Sequence, residues 1–228
     1  MQHSEIPSTA ADIVRELGPF APGGKVHGVS HDGRHVWAAL GDTIVAVDPE
    51  SGAVARTLDH AGDAGTAFDG THLWQIAESR IDKIDPATGA VVASIPAPGD
   101  GADSGLAWGE GSLWVGQYRG RQIHQVDPST GRVLRTLQSD RFVTGVTWVT
   151  GELWHGTWED GDSEIRRIDP QGGDVLQRLR MPPGTGVSGL ESDGAGLFYA
   201  GGGDSGTVRA VRRPAAARST PAATRSAA

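Results

Sequence analysis

Along most of this chain apolar residues fall at every second position in short runs, the alternation that places one side of a β-strand in a core. The runs recur in larger copies. HVWAALGDTIVAVDPESGAVARTL, HLWQIAESRIDKIDPATGAVVASI, SLWVGQYRGRQIHQVDPSTGRVLRTL and ELWHGTWEDGDSEIRRIDPQGGDVLQRL share one pattern. Each has an apolar residue before Trp, a polar turn, an Ile/Val alternation, Asp-Pro, Gly and a second alternation. A fifth, degenerate copy, GLFYAGGGDSGTVRAVRR, carries Phe198 in the column of Trp37, Trp74, Trp114 and Trp154.

Spacings of 37, 40, 40 and 44 between these aromatics match a four-stranded propeller blade. Within a blade, strand A is GVSHD, GTAFD, GLAWG, GVTWV or GLESD; strand B holds the tryptophan, strand C ends at Asp-Pro and strand D follows the glycine. Asp48, Asp85, Asp127 and Asp169 precede the prolines and read as turn-capping carboxylates. The fifth copy stops after strand C, and ADIVRELGP near the N-terminus has the composition of the missing strand. The expectation is an all-β, five-bladed β-propeller whose last blade is closed by the N-terminal strand, leaving no open seam. A parallel β-helix is the structural alternative, although its turns are usually shorter. The expected organisation is an N-terminal arm over 1–11, one propeller over 12–213 and a disordered tail over 214–228.

Composition narrows the function classes. The chain has 34 glycines, 13 prolines, seven tryptophans and 37% hydrophobic residues, which describes a turn-rich globular protein. It has no cysteine, so disulfides, thiolate metal sites and a cysteine nucleophile are excluded. Net charge is −8; the four arginines from Arg212 onward carry +4, so the remaining chain carries −12. Such a body repels nucleic acid and anionic membranes. With no long apolar run and no signal-like N-terminus, the chain reads as a soluble, cytoplasmic monomer acting on a small molecule or short peptide.

Candidate chemistry lies where residues break the repeat. Loops entering strand A and leaving strand B open on the same end of the ring. Before the shared strand-A glycine stand His27, Ala64, Ser104, Thr144 and Ser188. Two residues after it stand Ser30, Ala67, Ala107, Thr147 and Glu191, a lone acid among small side chains. After strand B, His155 replaces residues such as Val115, while Trp158, Tyr118, Gln117, Glu78 and Arg119 enrich the rim. Glu191, His27 and His155 are the candidate catalytic set for acid–base chemistry. Trp158, Tyr118, Gln117, Ser104, Thr144, Ser188, Glu78 and Arg119 are the candidate ligand-binding set. No local metal-ligand spacing is present and no cofactor is required, although His27, His155 and Glu191 together could hold a divalent metal. GGGDSG follows strand B and opens no helix, so it reads as the blade-five B–C turn.

The DPxTGxV repeat with LW on strand B resembles streptogramin lyases and, more closely, glutamine cyclotransferase-like propellers. The second resemblance spans the repeat body and is clearest in VTGVTWVTGELWHGTWEDGDSEIRRIDPQGGDVLQRL, followed by VSGLESDG. It implies a five-bladed ring with a pocket of aromatic and acid or amide residues at one end. Members of that family convert N-terminal glutaminyl groups to pyroglutamyl groups. VHGVSHDG and VWAALGD lack the acid of the family's early segments, and in HGTW it is Trp158 that carries over. The lyase resemblance rests on His27 and implies a metal-assisted elimination. A non-catalytic propeller that binds a ligand or protein on the same face is the third expectation.

Overall fold

The computed structural model describes residues 5–20 and 24–215. It is a five-bladed β-propeller: five sheets arranged in a ring, three built wholly from consecutive strands and two that also take in an N-terminal strand. Blade one comprises Gly28–His31, Val36–Ala39, Ile44–Val47 and Val54–Leu58; blade two Thr66–Phe68, Leu73–Ala77, Arg80–Ile84 and Val91–Pro96. Blade three comprises Asp103–Gly109, Ser112–Gln117, Gln122–Val126 and Val133–Gln138, and blade four Phe142–Val149, Glu152–Glu159, Asp162–Ile168 and Val175–Arg180. Blade five comprises Gly189–Ser192, Leu197–Gly201 and Val208–Arg212, and Ile13–Leu17 completes it by antiparallel pairing with Val208–Arg212.

The repeat consensus is structural. Trp37, Trp74, Trp114, Trp154 and Phe198 are buried between blades. Trp108 stacks on Trp74 with centroids 6.1 Å apart, and Trp148 on Trp114 at 5.3 Å. The Asp-Pro aspartates cap their own turns: Asp48 accepts Ser51 N–H at 2.7 Å, Asp85 accepts Ala87 N–H at 2.7 Å, and Asp127 accepts Ser129 N–H at 2.8 Å. Asp169 does the same for Gly172 N–H at 3.0 Å. A carboxylate held in this way is occupied by its own backbone.

Of the expected arm over 1–11, residues 1–4 lie outside the described residues, and the rest includes a strand. Ser8–Ala10 pairs in parallel with Val175–Arg180, adding a fifth strand to the outside of blade four. Composition there is small and polar, and no alternation announces a strand. Arg212 and Glu16 tie the next stretch down through Asp12 at 2.8 Å and Arg209 at 2.9 Å. Of the expected tail, 216–228 lies outside the described residues.

The strand-A glycines position the site. A Cβ placed on Gly28, Gly65, Gly105, Gly145 or Gly189 would lie between 2.3 and 2.6 Å from backbone atoms of the neighbouring blade. Those distances leave no room for a side chain. The five innermost strands therefore meet around the axis at a waist made of bare backbone. Each strand A enters from one end, passes this waist at its glycine, and continues to the other end.

Candidate functional site at the channel mouth

Above the waist the entering residues form a ring of short side chains. His27, Thr144, Ser188 and Tyr118 line two adjoining cavities of about 390 and 230 Å³. Lys25, Trp158, Val187, Gly186, Gly203 and Asp204 complete the larger one, and Asp63, Ala64, Asp103 and Ser104 the smaller. Gly186 and Gly203 are obligatory in that wall, since a Cβ on Gly186 would meet Gly203 N at 2.8 Å. Tyr118 is held flat against Phe142, centroids 4.7 Å apart, and Arg121 lies over the same Phe142 ring while pairing with Glu159 at 2.8 Å.

Asp103 is the acid of this mouth. Its carboxylate accepts Gly99 N–H at 2.9 Å and the Gln117 amide at 3.3 Å. Burial pushes its carboxyl above the ordinary carboxylate range, and these hydrogen bonds only partly oppose the shift. Burial likewise holds the His27 imidazole below its usual value, against the pull of Asp63. The buried Thr144 Oγ1 has no hydrogen-bond partner among the described residues. Ser104 Oγ is committed, donating to Val143 O at 2.9 Å. The mouth thus combines carboxylates, a neutral imidazole, an unbonded hydroxyl and two aromatic rings, a set suited to a ligand with a positive end and polar centre.

No protein-family model and no curated protein matches the chain. The crystal structure of Myxococcus xanthus glutaminyl cyclase matches with a TM-score of 0.75, covering 91% of this chain and 98% of that one at 18% identity. The shared feature is the fold, a five-bladed β-propeller. A chain of the mitotic checkpoint complex is similar over 83% of this chain and 74% of its own, at 17% identity and TM-score 0.51.

Several expected site residues sit at the mouth of the ring, and several do not. His27, Ser104, Thr144, Ser188, Tyr118 and Trp158 line the cavities. Gln117 acts behind them by holding Asp103. Glu78 and Arg119 are exposed on B–C turns and line neither cavity. Glu191 is below the waist, two residues beyond Gly189. There its carboxyl takes the Thr147 hydroxyl and Ser192 N–H, the latter at 2.8 Å, and burial pushes it up to about 7. His155 is buried in blade four beside Arg166, its strand neighbour. Burial pushes its pKa down to about 4, and its Nδ1 lies 3.0 Å from Gly156 O. The expected catalytic set of Glu191, His27 and His155 is therefore dispersed, and so is the metal centre drawn from them. Among the described residues no group of three His, Asp or Glu is placed to hold a metal, and no helix is long and apolar enough to cross a membrane.

Asp63 and Asp103 were missed, though a signal existed. Two residues before each strand-A glycine stand Val26, Asp63, Asp103, Val143 and Val187. Two acids among three valines break the repeat as sharply as Glu191 does four positions later.

Proposed function

We propose that the channel mouth binds a small molecule or short peptide through an amino group and carries out acid–base chemistry on it. Asp63 and Asp103 offer carboxylates to an ammonium, and the Tyr118 and Trp158 rings, which line the cavity beside them, favour a cation further. The observation that carries the catalytic reading is Asp103, a half-buried carboxyl raised above its usual range on the cavity wall. Such a group takes up and returns a proton closer to neutral pH than an ordinary aspartate does.

The reaction class this site serves is the cyclisation of an N-terminal glutaminyl group. The amine nitrogen attacks the side-chain amide carbon and a new C–N bond forms. The bond from that carbon to the amide nitrogen breaks. Asp103 relays the proton from the attacking amine to the departing nitrogen, which leaves as ammonia. Thr144 and Ser188 are the donors nearest to hand for the amide oxygen.

Ammonia release from a glutaminyl peptide, measured for the wild type and for Asp103→Asn, tests this. The asparagine keeps an acceptor for Gly99 N–H, so the fold is retained. Turnover should fall by roughly 10²–10⁴, the usual worth of a positioned acid–base group. Equal turnover removes Asp103 from the chemistry. A non-catalytic binding propeller is the second reading, favoured by the structural role Asp103 already has at Gly99 and Gln117. Saturable amine binding without ammonia release from the wild type decides for it.

A further inference from the structure

A second cavity, about 350 Å³, lies at the outer end of blade four, between its C and D strands and the N-terminal segment. One wall is apolar, made by Ala10, Ala11, Met181, Pro182 and Pro183. Arg141, Arg180, Ser163, Asp162 and Glu164 line the same space. Arg141 Nη1 and Ser163 Oγ are buried with no hydrogen-bond partner among the described residues. The nearest carboxylate, Glu164, is 3.8 Å from Arg141 but already accepts Arg166 Nε at 2.6 Å. Arg180 is exposed and enters none of the ion pairs around it.

Two arginines, Arg141 and Arg180, and two carboxylates, Asp162 and Glu164, line the cavity, so its lining is charge-balanced. Glu164 stands across from Arg180 on the adjacent strand and is held by Arg166, while Asp162 is exposed to solvent. Unbonded Arg141 and Ser163 donors, an arginine outside the ion pairs and an apolar wall in one cavity describe a receptor for an anion with a hydrocarbon body.

We propose that this cavity binds an organic carboxylate. Its carboxylate oxygens take the Arg141 and Arg180 guanidinium groups, with the Ser163 hydroxyl as a third donor, and its apolar body lies against Met181 and the two prolines. Inorganic phosphate satisfies the first contact only. The segment over 181–188 separates this cavity from the channel mouth: Met181, Pro182 and Pro183 line one, and Gly184, Gly186, Val187 and Ser188 the other. The proposal stands independently of the amine-binding reading of the mouth, because no residue lines both cavities.

Isothermal titration of the full chain with phenylacetate tests it, with inorganic phosphate as an anion lacking the apolar body and benzyl alcohol as the body lacking the charge. Phenylacetate should bind saturably, and both controls at least about tenfold more weakly. Arg141→Ala and Arg180→Ala should each weaken phenylacetate binding about tenfold or more. Arg180 is exposed, so an unchanged melting midpoint in that variant assigns the loss to the site. No saturable heat with phenylacetate, equal affinity in Arg180→Ala, or phosphate binding as tightly as phenylacetate would each overturn the proposal.

Discussion

On either side of the glycine waist lies one carboxyl raised by burial, Asp103 above and Glu191 below. They differ in what surrounds them. Asp103 borders a cavity that a ligand can enter, alongside His27, Tyr118 and Thr144. Glu191 is 8% exposed, and its carboxyl is answered by Thr147 and its own neighbour Ser192. A shifted pKa therefore marks a desolvated acid; access is what makes one available for chemistry. Glu191 ties blade four to blade five and carries an electrostatic cost in doing so.

The sharpest way to break the comparison is to breach the waist. Gly105→Ala puts a methyl 2.3 Å from Thr144 O, and the innermost strands must separate to admit it. We expect at least about 3 kcal/mol of lost stability, read as a large fall in the denaturation midpoint. A variant that melts with the wild type would mean that the two sides are not divided there.

Two buried titratable groups, Glu191 and His155, come next, and their signs oppose. Glu191 has a folded pKa near 7 against an ordinary 4.5, so the native state holds its proton more tightly than the unfolded chain does. Stability from this group is greatest below about 4.5 and declines as pH rises to about 7, by about 3 kcal/mol in full. His155, near 4 in the fold against 6.5, stays neutral while the unfolded chain charges. Its contribution is complete above 6.5 and is lost as pH falls to about 4, by a similar amount. Between about 4.5 and 6.5 the slopes largely cancel. Glu191→Gln should raise stability at pH 8 by about 3 kcal/mol and leave the acid-side slope of His155 uncovered. Denaturant titrations across this range measure both, and an unchanged pH profile would show that Glu191 ionises in the fold as it does in the unfolded chain.

The smallest effect is expected at the rim. Lys25 and Asp204 pair at 3.1 Å over the larger cavity, with side chains 62% and 88% exposed. A pair so well solvated contributes under about 0.5 kcal/mol. Asp204→Asn should leave the melting temperature within about a degree, whatever it does to ligand entry.

The propeller was legible in the sequence because each blade repeats the same solution to the same packing problem. Tryptophan, Asp-Pro and glycine recur where blades touch, where chains turn and where innermost strands meet. The mouth was legible in part. The column before the glycine led to His27, Ser104, Thr144 and Ser188, and the strand-B ends led to Tyr118 and Trp158. Glu191 was placed in the same site because a repeat column reports that a position faces inward, but carries no mark of which side of a constriction it lies on. His155 followed the same course. Its column faces the neighbouring blade, and only the pairing of His155 with Arg166 shows that its surroundings are another strand's side chains. The column two residues before the glycine carries its own signal, Asp63 and Asp103 among three valines.

The N-terminal strap has a kinetic meaning. Ile13–Leu17 supplies the last strand of blade five, joining residues about 200 positions apart, and Ser8–Ala10 then clasps blade four. A chain made from its N-terminus releases this strand first and the sheet that receives it last. The ring thus ends folding with its longest-range contact, after the entropy of holding both ends near each other has been met by four finished blades. Until that moment blade five exposes an unpaired edge, and Ile13–Leu17, made well before it, is the piece shaped to cover it.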